Sequence, residues 1–157
     1  MMKVRQENTL NTGYEKMGYT HYWSPSVALH DAGRAEAFKN CAKVIAAAGR
    51  DIAFESDEPK KRPVCDVDSG LIRFNGIGED GHETFYFQYG GPWSFCKTNN
   101  KHYDIYVTAC LLVLNHFGLA DISSDGDCYD WESGTICAKE VTGLNIVVPE
   151  SIRSRDY

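Results

Sequence analysis

Apolar positions Phe38, Cys41, Ala42, Ile45 and Ala48 recur at offsets of 3, 4, 7 and 10, which marks one stripe of an amphipathic helix. Asp31 stands where an N-cap belongs, and Gly49 supplies the left-handed residue that commonly ends a helix. A second helix is predicted from about Tyr103 to Phe117. Its stretch Ile105 to Leu114 carries no charge, so it has no solvent face to offer and should pack centrally. A third runs from a cap at Asp130 to about Thr142, with Gly143 as its stop.

Strand patterns lie between these helices. Met17 to Trp23 is rich in aromatic and β-branched residues and ends at Ser24-Pro25-Ser26. Leu71 to Asn75 and Glu83 to Gln88 read as a hairpin across a glycine-rich connection, Trp93 to Thr98 as a short extended segment, and Ala120 to Ser124 as a further strand. Residues 50 to 70 hold Asp57-Glu58-Pro59-Lys60-Lys61-Arg62-Pro63, which predicts an exposed loop with a solvated cationic run. The expected order is β-α-β-β-α-β-α. It describes one α+β domain over 17–149, a small and mostly antiparallel sheet packed with about three helices. Residues 1–16 are polar and unpatterned and are expected to be a dispensable extension, with Met17 as an alternative start; 150–157 are expected to form a flexible tail.

Composition narrows the class. Of 157 residues, 43% are hydrophobic and 12% aromatic, enough for a packed core and against disorder. A net charge of −6 argues against gripping long nucleic acid, which needs a cationic surface, while a local basic pocket for a small charged ligand stays compatible with it. The opening residues show no secretory apolar core, and no run approaches the length of a membrane span. Six cysteines without a C-x-x-C pair fit reduced thiols in the cytoplasm.

Several motifs invite chemistry and lack the context for it. Gly76-Ile77-Gly78-Glu79-Asp80-Gly81 spells G-x-G-x-x-G, but a strand pattern follows where a phosphate cradle needs a helix. Asp121 to Glu132 mimics a calcium loop, yet Gly118 stops the entering helix short and no second loop exists to pair with it. His82-Glu83-Thr84 is one H-x-T where a two-histidine phosphoesterase needs two. Cys96-Lys97 with His102 suggests an activated thiolate, but nothing orients the partners. No catalytic residue, metal ligand or cofactor is assigned from these patterns.

Aromatic and polar residues gather at 20–23, 95–98 and 101–104. Stacking surfaces beside point donors suit a nucleobase or ribose. Gly18-Tyr19-Thr20-His21-Tyr22-Trp23, Phe95-Cys96-Lys97-Thr98, Tyr103-Asp104, Ser123-Ser124-Asp125-Gly126 and Val141-Thr142-Gly143-Leu144 together resemble, in the same order, a widespread family of small tailed-phage and prophage proteins. Where that family commonly reads Lys-x-Pro-Tyr-Asp, this chain has Lys101-His102-Tyr103-Asp104, so His102 takes no family role. The resemblance implies a phage origin and a bacterial host cytoplasm, and it implies no reaction.

The resulting expectation is a phage accessory protein that sequesters a small nucleotide-derived ligand, such as a host-defence signal, as a monomer or homo-oligomer. Its candidate ligand residues are His21, Tyr22, Trp23, Arg73, Asn75, Lys97, Thr98, Tyr103, Asp104, Ser123, Ser124 and Asp125. Tyr22 or Trp23 would stack on a base, Arg73 or Lys97 would face phosphate, and Asp104 or Asp125 would accept from ribose hydroxyls. Two other readings stand beside it. One is a nucleotide hydrolase with His21 or His82 as base and Glu83 or Asp125 holding a metal; the other is a protein inhibitor of a host factor that needs no ligand.

Overall fold

The computed structural model describes residues 19–26 and 31–153. The expectations for 1–16 and for a start at Met17 lie outside the described residues. In chain order the elements are β1 (Thr20–Pro25), α1 (Asp31–Ala48), β2 (Ile52–Ala53), β3 (Val64–Asp66), β4 (Leu71–Gly76), β5 (Phe85–Gln88), β6 (Ser94–Lys97), α2 (Asp104–His116), β7 (Ala120–Ser124) and α3 (Glu132–Thr142). Single 3₁₀ turns occupy Gly49–Asp51, Gly78–Asp80 and Glu150–Ile152. This is a single α+β domain with three helices and antiparallel strand pairing throughout the described residues.

The strands form two sheets where the pattern predicted one. β1 lies between β6 and β7. In the other sheet β4 is central: β3 and β5 flank its N-terminal part on opposite sides, and β2 pairs with its C-terminal end. β2 and β3 arise inside the segment expected to be a loop, because runs of two and three residues are too short to show a period of two.

α2 occupies the middle, packed on α1, α3 and β7, and Val107, Leu111, Leu112 and Leu114 are essentially inaccessible. At its crossing with α3 the backbones come close enough that a Cβ on Gly134 would lie 1.9 Å from Thr108 Oγ1. Only glycine fits there. α3 ends as predicted, with Gly143 in the left-handed region at φ 75°. The segment after Pro149, expected to be loose, is held as far as residue 153. Ile152 is fully buried, and Ser151 Oγ donates to the Ile122 carbonyl at 2.6 Å.

Candidate functional site

The inner face of β6-β1-β7 carries a buried polar chain. His21 pairs across the sheet with Cys96 on one side and Ser124 on the other, so all three side chains point toward α2. Asp104 reaches the same place from the first turn of α2. The turn before it sets that position: Asn99 and Asn100 both adopt positive φ (54° and 57°), a conformation asparagine tolerates better than most residues, and Lys101 N–H closes on the Thr98 carbonyl at 3.1 Å.

Asp104 Oδ1 lies 2.6 Å from His21 Nε2 and accepts from Thr98 Oγ1, also at 2.6 Å. His21 Nδ1 is 2.8 Å from Ser124 Oγ. That oxygen also accepts from Gly126 N–H at 2.9 Å and Trp131 Nε1–H at 3.1 Å. With two N–H groups donating to Ser124 Oγ, donor counting favours the tautomer in which its proton goes to His21 Nδ1 and Nε2–H donates to Asp104. The edges of Tyr19 and Trp131 wall the imidazole at 5.0 and 4.9 Å between centroids.

This Asp104–His21–Ser124 order has the hydrogen-bond polarity of a hydrolase triad. Its accessibility differs. His21 is 0% exposed, and both acceptor sites of the hydroxyl that would attack already receive N–H donors. The chain therefore acts first as a buried clamp between β1, β7, α2 and the turn leading into α3. A polar cleft of about 210 Å³, lined by Lys101, His102, Asp104, Asp130 and Ser133 among others, adjoins its Asp104 end.

The outer face of the same sheet presents a different surface. Tyr22 pairs with Phe95 and Ser123, so these side chains share the face opposite His21, as do Lys97 and Trp93 by strand parity. Tyr22 and Trp93 stack with centroids 5.9 Å apart and planes inclined by 19°; Trp93 and Phe95 are 5.5 Å apart. Trp93 is 58% exposed and Phe95 49%. At one end Asp125 receives Tyr22 OH at 3.1 Å and Thr20 N–H at 3.0 Å, and Lys97 is paired with Thr20 on the other side of β1. Loss of solvation, followed by the Asp125 carboxylate, raises the Tyr22 phenol above its ordinary value.

The twelve candidate residues thus fall into separate groups. Tyr22, Lys97, Ser123 and Asp125 belong to the outer face; His21, Thr98, Asp104 and Ser124 form the buried chain. Trp23 and Tyr103 are core residues, 4% and 0% exposed. Arg73 and Asn75 lie in the other sheet. Arg73 ion-pairs with Glu55 and lies 3.9 Å over the Phe54 ring. The Thr84 hydroxyl, donating to Glu55 at 2.6 Å, is the main cause holding that carboxyl below its ordinary value, with Arg73 assisting. Asn75 staples the glycine-rich turn: its Oδ1 accepts from Gly76 and His82 N–H, and its Nδ2 donates to the His82 carbonyl and Thr84 Oγ1. Asn75 has thereby committed its amide to the hairpin.

Other motifs take ordinary places. The G-x-G-x-x-G segment joins β4 to β5, and a Cβ on Gly76 would lie 2.3 Å from the Asp80 carbonyl, so close backbone approach explains that glycine. Asp121 to Ser124, the first third of the calcium-like segment, is strand β7. Burial pushes the Cys96 thiol well above its ordinary value, the reverse of an activated thiolate. Trp93, Phe95 and Trp131 were not among the candidates. Alternation over Trp93-Ser94-Phe95-Cys96-Lys97 is the signal that places Trp93 and Phe95 beside Lys97.

Comparison with protein-family models, curated proteins and solved structures finds no match to this chain.

Proposed function

We propose that the protein binds and sequesters a small nucleotide-like molecule on the outer face of β6-β1-β7. The observation that carries this reading is the exposed aromatic tier of Tyr22, Trp93 and Phe95, which ends at a cation, Lys97, and a carboxylate, Asp125. Large aromatic side chains left half-exposed side by side are costly unless something flat covers them. A base stacked on Trp93 gains about 1–3 kcal/mol, Lys97 attracts a phosphate, and Asp125 accepts from a ribose hydroxyl. The phage resemblance adds a nucleotide-derived host-defence signal as the ligand class. Sequestration is favoured over turnover because the Ser124 oxygen is committed to Gly126 and Trp131.

Trp93 provides the assay. Trp23 and Trp131 are 4% and 0% exposed, so a ligand on the tier quenches the emission of Trp93. Titration with a panel of cyclic nucleotides and ADP-ribose derivatives, followed by heat release and mass spectrometry, should return a bound member intact. Phe95→Ala should abolish the quench, and Trp93→Ala should abolish recovery of the ligand by mass spectrometry, both without unfolding the protein. Silence across the panel would refute the proposal and favour an inhibitor of a host protein. Cleaved product, lost in Ser124→Ala, would make the buried chain catalytic.

A further inference from the structure

The Lys60-Lys61-Arg62 run is exposed, as expected, and divides by side. Lys61 Nζ lies 3.8 Å from the centre of the Phe54 ring, whereas Lys60 and Arg62 line a cavity of about 480 Å³ together with Arg50, Pro59 and Ile77. Arg50 arrives from the 3₁₀ turn that follows α1, so two separate segments deliver three cations to one concavity. No carboxylate is among the lining residues. Among the described residues, none of the three cations forms an ion pair. Of the neighbouring acids, Asp51 is directed toward Tyr106 and His102, and Glu55 toward Arg73 and Thr84. Arg62 NH1 donates to the Ile52 carbonyl at 3.3 Å, which fixes the guanidinium against the end of β2 and leaves its other N–H groups for a ligand.

In a chain of net charge −6, three cations that share one cavity and have no ion pair among the described residues repel each other, and a bound anion relieves that repulsion. We infer that this cavity binds a small, multiply charged phosphate compound. Two adjoining phosphates match three cations better than one does, and arginine forks suit phosphate oxygens. The volume falls within the range of about 300–1,000 Å³ typical of small-molecule sites, and Pro59 and Ile77 give an apolar wall for whatever the phosphates are attached to. The exposed acids Asp57, Glu58, Glu79 and Asp80 on the adjoining turns disfavour an extended polyanion. This site shares no residue with the aromatic tier and stands independently of it.

Titration calorimetry of the full chain with inorganic phosphate, pyrophosphate and ADP at low salt tests the inference. Pyrophosphate should bind more tightly than phosphate, and its affinity should weaken as salt rises. Arg50→Ala and Arg62→Ala should each weaken it by about tenfold or more, the loss expected for a charge-assisted contact. Lys61→Gln, on the Phe54 side, should stay near wild type, and so should Trp93→Ala, which separates this site from the sheet face. ADP binding more tightly than pyrophosphate would assign the apolar wall to a nucleoside; equal affinity would assign the site to the phosphates alone. Absence of pyrophosphate binding at millimolar concentration, or wild-type affinity in both arginine variants, would overturn the inference.

Discussion

Replacing Ser124 with alanine distinguishes a structural clamp from a reactive hydroxyl. Among the described residues that hydroxyl has three partners: it lies 2.8 Å from His21 Nδ1 and accepts from Gly126 N–H and Trp131 Nε1–H. Alanine leaves all three without it. Ser124 is half-buried, but Gly126 is buried and His21 and Trp131 are both 0% exposed, so the three nitrogens become enclosed orphans. An orphaned buried polar group costs about 1–3 kcal/mol, so the three together cost about 3 kcal/mol or more in the variant. For a chain of this length that lowers Tm by roughly 6 °C or more. Thermal and urea unfolding, followed by far-UV circular dichroism, measure it directly. Trp131→Phe removes one of the three bonds and should cost less. In a double-mutant cycle the two substitutions should couple by about 1 kcal/mol, because they share a bond. A Ser124→Ala protein melting within about 2 °C of wild type would refute the reasoning, since the hydroxyl would then carry little structural weight and its triad-like polarity would need another explanation.

Leu111→Ala and Leu112→Ala, each emptying space inside central α2, should cost about 2–5 kcal/mol in urea unfolding. Gly134→Ala should destabilise by about 1–3 kcal/mol through collision with Thr108, and Thr108→Gly in the same chain should recover part of that loss. Because Thr84, and after it Arg73, hold the folded Glu55 carboxyl below its ordinary 4.5, its stabilising increment is complete above that pH and fades as pH falls through the lower folded value. The Tm gap between wild type and Glu55→Gln should therefore shrink between neutral pH and strong acid. Cys41, Cys96 and Cys110 are 0% exposed, so a thiol reagent should modify at most Cys65, Cys128 and Cys137 before the protein is denatured.

Sequence periodicity and punctuation were sufficient for the long elements. The stripe through Phe38 and Ile45, the uncharged run around Leu111 and the stop at Gly143 mark all three helices, because a helix of eleven residues or more repeats its period several times. The same one-dimensional signal placed four of the strands, marked β6 as an extended segment, and grouped aromatics with polar residues near 20–23 and 95–98. It did not resolve β2 and β3, which are too short to alternate, nor the division into two sheets, which depends on which edges of β4 are taken.

Parity, packing and turn geometry decided the site. His21 and Tyr22 are neighbours in sequence and were candidates together, yet a strand sends them to opposite faces, one into a clamp closed by Asp104 and Ser124, the other onto an open aromatic tier. Arg73 and Lys60 carry the same charge and both read as loop-side or strand-edge cations. Only the fold shows that Glu55 answers one while the other shares a cavity with Arg50 and Arg62. The physical reason is range: local sequence sets backbone preference over a few residues, whereas the partners of a buried or converging charge come from segments tens of residues away, 83 in the case of His21 and Asp104.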